Sequence, residues 1–277
     1  MELPYFYVDE MYGFDQSRFY DAWMRLGGCA AVTACDLCIY LALYDGQERL
    51  YPYNLTKIKR KEYIRFSNIM KPYLRPRHTG INRLELYLDG FGQYLKAHGG
   101  RRLAAGLRGF SGAHSAAEAA NALQEQLLRG VPVPCLTLKH ADPAYDDYVW
   151  HWFLLAGLRR AGEDVESKQA LLNGMTGVAV PAEATCHGHD IPAPTGGLEV
   201  KLLTYGKWRW VDFDRLWNTG YEQKGGLILL DNCSVWGKDA ASEQLSKGAA
   251  ANAAALAGAA EGSDSASAER LGGRMRL

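Results

Sequence analysis

An excess of charge of either sign is the first thing missing. Lys plus Arg number 31 and Asp plus Glu also number 31, so the formal net charge is zero. No long-range attraction to nucleic acid or anionic lipid is expected from such a balance. The basic run Lys57-Ile58-Lys59-Arg60-Lys61 is a local exception, and it reads as the solvated face of a helix. Also missing is any stretch near the roughly 18 uninterrupted apolar residues of a membrane span, so no membrane partner is expected. The opening MELPYFYVDE has neither a basic n-region nor a long apolar h-region and does not read as a secretory signal. The six cysteines lack the spacing of a disulfide framework. They are expected as reduced thiols of a cytoplasmic protein. Residues 237–277 contain no aromatic residue and are dominated by Ala, Ser and Gly, so a disordered tail is expected there. No internal repeat is found.

What is present is core-forming material. Apolar residues make up 48 % of the chain, with 16 Tyr and 7 Trp, enough to bury a sizeable core over residues 1–236. Residues 1–12 are aromatic and partly alternating, which suits an extended segment lying on the core. Gly27-Gly28 breaks the chain before a long apolar run from Cys29 to Tyr44, closed by Asp45-Gly46. Ala30, Ala31, Ala34, Leu37, Tyr40 and Leu41 recur there at helical spacing, which predicts a mostly buried helix with Cys29 in its first turn. Further helices are predicted over 61–71 and 81–98, and another from Ser115, whose S-x-x-E pattern with Glu118 is a capping box, to about Arg129 before Gly130. Strands are predicted over Val131–Lys139, Tyr148–Leu158, Leu198–Thr204, Trp208–Phe213 and Gly226–Leu230. Helices first and strands second predict an α+β domain with a largely antiparallel sheet. Residues 160–197, rich in Gly, Pro and Ala, read as an inserted surface excursion.

Cys29 is the strongest chemical feature. At a helix start, unpaired N–H groups and the helix dipole favour negative charge. A nearby imidazolium would lower the thiol pKa further, to about 3.5–7.5. Alone, Cys29 could equally be a small buried thiol packing as a hydrophobe. His151 changes that weighting, because it stands in Tyr148-Val149-Trp150-His151-Trp152-Phe153-Leu154-Leu155, otherwise a run of aromatic and aliphatic residues. An unpaired buried imidazole is costly, so it is either hydrogen-bonded in the core or functional. With a helix-start cysteine it makes a nucleophile and base.

Gly28-Cys29 opening an apolar helix, followed over a hundred residues later by His151-Trp152 opening a strand, resembles the papain-like cysteine peptidases. Within them it is most similar to the double-glycine leader (bacteriocin-processing) peptidases and their bacterial relatives, over roughly residues 16–230. The resemblance implies a papain-like fold, cleavage of peptide or other amide bonds through a thioester, and no cofactor or metal. It also implies a Gln about six residues before the nucleophile, as oxyanion donor, and an Asp or Asn on the strand after the histidine. Trp23 stands in the first place; Gln16 is the upstream Gln that could fold back. Thr204, in Leu203-Thr204-Tyr205-Gly206, stands in the second place, and Asp212 is the best nearby carboxylate, although it could instead cap the turn before Asp214.

Other clusters are weaker. Cys35-x-x-Cys38 lies inside the Cys29 helix, where residues three apart share a face and suit core packing. Cys186-His187-Gly188-His189-Asp190 is dense in zinc ligands, but a closed site draws on a second pair that the sequence does not name. Trp208, Trp210, Trp217 and Tyr221 suit either a substrate groove or the packed face of a strand. Two functions compete with the hydrolase: a non-catalytic papain-like binding module, favoured by the missing Asp/Asn, and an acyltransferase using the same thioester.

Overall fold

The structure is a computed structural model, and it describes residues 1–161 and 197–233. The Cys186–Asp190 cluster, nearly all of the 160–197 excursion and the 237–277 tail lie outside the described residues. A short hairpin, β1 (Tyr7–Val8) and β2 (Met11–Tyr12), opens the fold. Six helices follow: α1 (Ala22–Gly27), α2 (Cys29–Tyr44), α3 (Arg60–Met70), α4 (Leu84–Ala97), α5 (Arg101–Ala105) and α6 (Ala116–Leu128). The sheet is built from β3 (Leu107–Ser111), β4 (Val133–Thr137), β5 (His151–Arg160), β6 (Leu198–Thr204), β7 (Lys207–Asp212) and β8 (Gly226–Leu230), with α7 (Phe213–Trp217) after β7. Its strand order is β3-β8-β4-β5-β6-β7, and each neighbouring pair is antiparallel. The expected α+β class is therefore met.

Helix α2 is the central beam. All of its residues but Val32 and Leu43 are buried. Such all-round burial is possible because Ala and Cys dominate its first turns and let neighbouring elements approach closely. Gly28 joins α1 to α2 without a side-chain cap. A Cβ there would stand 2.2 Å from the Met24 carbonyl oxygen, so no other residue fits the junction unshifted. The capping box at Ser115 is formed in both directions, and Gly130 leaves the helix at φ 77°.

Several expected boundaries move. The strand predicted from Tyr148 begins at His151, because residues 143–148 form a 3-10 turn capped by Asp142. Phe213, predicted as strand, opens α7, since the preceding carboxylate caps that turn. Of the basic run, only Arg60 and Lys61 enter α3, while Ile58 is buried and its carbonyl accepts the Asp9 N–H. The short elements α1, α5, β3 and α7 were not predicted, being too brief to show a period. None of the helices among the described residues is long and apolar enough to cross a membrane.

Candidate active site

The N-terminus of α2 abuts the start of β5. Cys29 and His151 line one narrow cavity (≈ 20 Å³) together with Gln16, Thr204, Tyr205 and Asp36. These residues come from the N-terminal segment, α2, β5 and the β6–β7 hairpin, so only the fold assembles them.

Cys29 is 6 % exposed. Its sulfur is approached by the backbone N–H groups of Trp152, Ala30 and Cys29 itself, which favour thiolate, yet burial outweighs them and holds the thiol above its ordinary pKa. The helix-start position alone therefore does not ionise it, because a sealed thiol loses more from desolvation than three N–H groups return. Trp152 is fixed in turn: its indole N–H donates to the Ile81 carbonyl at 2.6 Å, and its ring stacks on Tyr87.

His151 is 5 % exposed, and burial lowers its pKa to about 4. Its Nε2 lies 2.6 Å from Thr204 Oγ1. Among the described residues no carboxylate forms an ion pair with it. The Tyr205 ring stacks on the imidazole at 4.6 Å between centroids and 11° between planes. Trp150 and Tyr205, which flank His151 and Thr204 in the chain, sit at φ 54° and 53°, a left-handed region that bulky residues rarely occupy. Both remain substantially exposed. Strain of this kind concentrates at functional sites.

The sequence-expected residues divide. Gln16 does fold back to the cavity despite its distance in sequence. Its Nε2 donates to the Arg25 carbonyl at 3.1 Å, and its Oε1 is buried with no hydrogen-bond partner. Trp23, which stands where the resemblance implies the Gln, is exposed on α1. Asp212 is not brought to His151. The β6–β7 register pairs Thr204 with Lys207 at the hairpin and Glu199 with Asp212 at the opposite end. Asp212 caps α7 there, its Oδ1 accepting the Arg215 N–H at 2.9 Å. Of the two candidates for the third place, Thr204 therefore lies at His151 and Asp212 does not. Cys35 and Cys38 are buried in α2, and no group of metal-ligating side chains occurs among the described residues.

Two residues escaped the sequence reading. Asp36, two turns below Cys29 on α2, is buried and accepts the Tyr63 hydroxyl at 2.5 Å and the Tyr5 hydroxyl at 3.0 Å. Burial raises its carboxyl to about 7, against the lowering effect of the Tyr63 and Tyr5 hydroxyls and the Phe14 N–H. A lone acid in an apolar helix was the available signal. Tyr205 is the other, and its only trace in the sequence was a bulky residue before the turn glycine Gly206.

Comparison with protein-family models, with curated proteins and with solved structures finds no match to any of them.

Proposed function

We propose that this protein is a cysteine-nucleophile hydrolase of papain-like type, acting on peptide or other amide bonds. The observation that carries the reading is the convergence of Cys29, His151, Gln16 and Thr204 on one cavity from four separate segments. With the Nε2–H of His151 given to Thr204 Oγ1, Nδ1 holds the lone pair and faces the role of base. It takes the Cys29 thiol proton as the sulfur attacks the substrate carbonyl carbon. The resulting imidazolium protonates the leaving amine as the C–N bond breaks, which leaves a thioester on Cys29. Water then attacks the thioester, its proton passing to His151 and back to the departing sulfur. The N–H of Cys29 and the Gln16 amide are the candidate oxyanion donors, Gln16 after its Nε2 leaves the Arg25 carbonyl.

Because burial keeps both groups neutral, the pair works by general-base activation when substrate arrives rather than as a standing thiolate–imidazolium pair. The same neutrality favours the second reading, a binding module that retains the arrangement without the chemistry. Iodoacetamide labelling separates them. In the hydrolase, Cys29 alkylates faster than Cys35, Cys38 and Cys135 at neutral pH, and His151→Gln slows it about tenfold or more. Labelling no faster than those three core thiols, or a rate untouched by His151→Gln, leaves the binding module standing.

A further inference from the structure

Thr204 offers His151 a neutral hydroxyl where a carboxylate would stabilise positive charge, and no described acid pairs with the ring. Something else must make the imidazolium affordable if His151 is to accept a proton inside a buried site. We propose that Tyr205 is a positioning residue for His151, its ring face stabilising the imidazolium and holding the imidazole plane in place. This rests on the reading of Cys29 and His151 as nucleophile and base.

The geometry carries the argument. The two rings are nearly parallel, 11° apart, with centroids at 4.6 Å, an offset stack that lays the phenol face against the imidazole. A cation over an aromatic face within about 6 Å is attracted by the ring quadrupole, and more strongly where water is excluded. The other aromatic neighbour, Phe153, is at 6.3 Å and tilted by 33°, too remote to share the task equally.

Tyr205 is also held for this position. It opens the hairpin turn between β6 and β7 at φ 53°, followed by Gly206 at φ 70°. Glycine or asparagine usually occupies such positions, since a side chain there crowds the backbone. A bulky aromatic retained in that conformation is over-determined by its contacts. Its hydroxyl lies 3.3 Å from the Asp147 carbonyl, to which it donates, and 3.5 Å from His151 Nδ1, which ties the turn both to the segment leading into His151 and to the ring itself. The Tyr12 N–H donates to the Gly206 carbonyl at 3.0 Å and fixes the turn from the N-terminal side. The side chain is therefore held at its hydroxyl and, through the backbone of its turn, at its root, while the residue remains 39 % exposed.

Three variants test this: Tyr205→Phe, which keeps the ring and drops the hydroxyl; Tyr205→Leu, which fills the space without a π-face; and a difluorinated phenylalanine at the same position, which keeps the shape and weakens the quadrupole. The first readout is the imidazole titration of His151 by NMR, its resonance assigned with His151→Gln. The second is the alkylation rate of Cys29 at neutral pH. The leucine and fluorinated variants are expected to shift the midpoint down by about one pH unit and slow alkylation about tenfold, while Tyr205→Phe, which loses the hydroxyl beside Nδ1 but keeps the ring face, shifts it by clearly less. An unchanged midpoint in both of those variants overturns the proposal. So does a Tyr205→Phe shift as large as that of leucine, since the hydroxyl tether would then be the cause. The fluorinated variant keeps the test open if leucine fails to fold. Should Cys29 prove unreactive in every form, the hydrolase reading falls, whereas the titration still reports on Tyr205.

Discussion

Replacing Asp36 by Asn should change how stability depends on pH in a way that can be worked out in advance. The carboxyl is buried in α2, and burial raises its pKa from an ordinary 3.8 to about 7. The folded protein therefore holds this proton where the unfolded chain has lost it, from about pH 4 to pH 7. Across that window the folded state binds more protons, so the contribution of Asp36 to stability falls as pH rises. It is fully present below the unfolded value and gone above the folded one. A displacement of roughly three pH units corresponds to about 4 kcal/mol. Asn keeps the shape, has no proton to lose and can accept one tyrosine hydroxyl while donating to the other. Urea unfolding of both proteins at pH 4, 5.5, 7 and 8 gives the difference in stability at each pH. The unaltered protein is expected to lose about 4 kcal/mol relative to Asp36→Asn over that range. A difference constant to within about 1 kcal/mol, or an unaltered protein that gains on Asp36→Asn as pH rises, would refute the reasoning, because the carboxyl would then not be held protonated by burial.

His151 acts in the opposite sense. Burial lowers its pKa from 6.5 to about 4, so its stabilising neutral form is fully present above 6.5 and is lost as pH falls through 4. His151→Gln should thus abolish about 3 kcal/mol of acid-side destabilisation, read by the same urea titrations. Asp212→Ala should cost about 1 kcal/mol through loss of the α7 cap and leave Cys29 alkylation unchanged; slower labelling would return Asp212 to the site. Thr204→Val removes the 2.6 Å partner of His151 Nε2 and should slow alkylation about tenfold with little change in fold, checked by circular dichroism. Gly28→Ala forces its new methyl against the Met24 carbonyl and should destabilise by about 2 kcal/mol or more, seen as a lower urea midpoint.

The parts of this fold that show in the sequence are those with a long, consistent pattern. The Cys29–Tyr44 helix, the Ser115 capping box and the strands Leu198–Thr204 and Gly226–Leu230 are found where periodicity and punctuation place them. The elements that escape, such as α1 and β3, are five or six residues long and depend on tertiary neighbours for their shape. The site was legible to a similar depth. Cys29 and His151 stand out because a helix start and a lone imidazole in an apolar strand are local anomalies. Thr204 is drawn to His151 and Asp212 away from it by strand register and hairpin position, which composition does not encode. Asp36 and Tyr205 matter through what they touch, and a chain read linearly does not display contacts between residues far apart.

The near-complete burial of α2 has a mechanical consequence for Cys29 and His151. Amides in so enclosed a helix should exchange with solvent only when the whole domain opens, so Cys29 is tied to the slowest-opening part of the molecule. His151 sits instead at a strand end, beside two residues in left-handed backbone that relax readily if their contacts loosen. On warming, the cavity is expected to come apart from the strand side first. Thiol reactivity should then change several degrees below the temperature at which the helices melt.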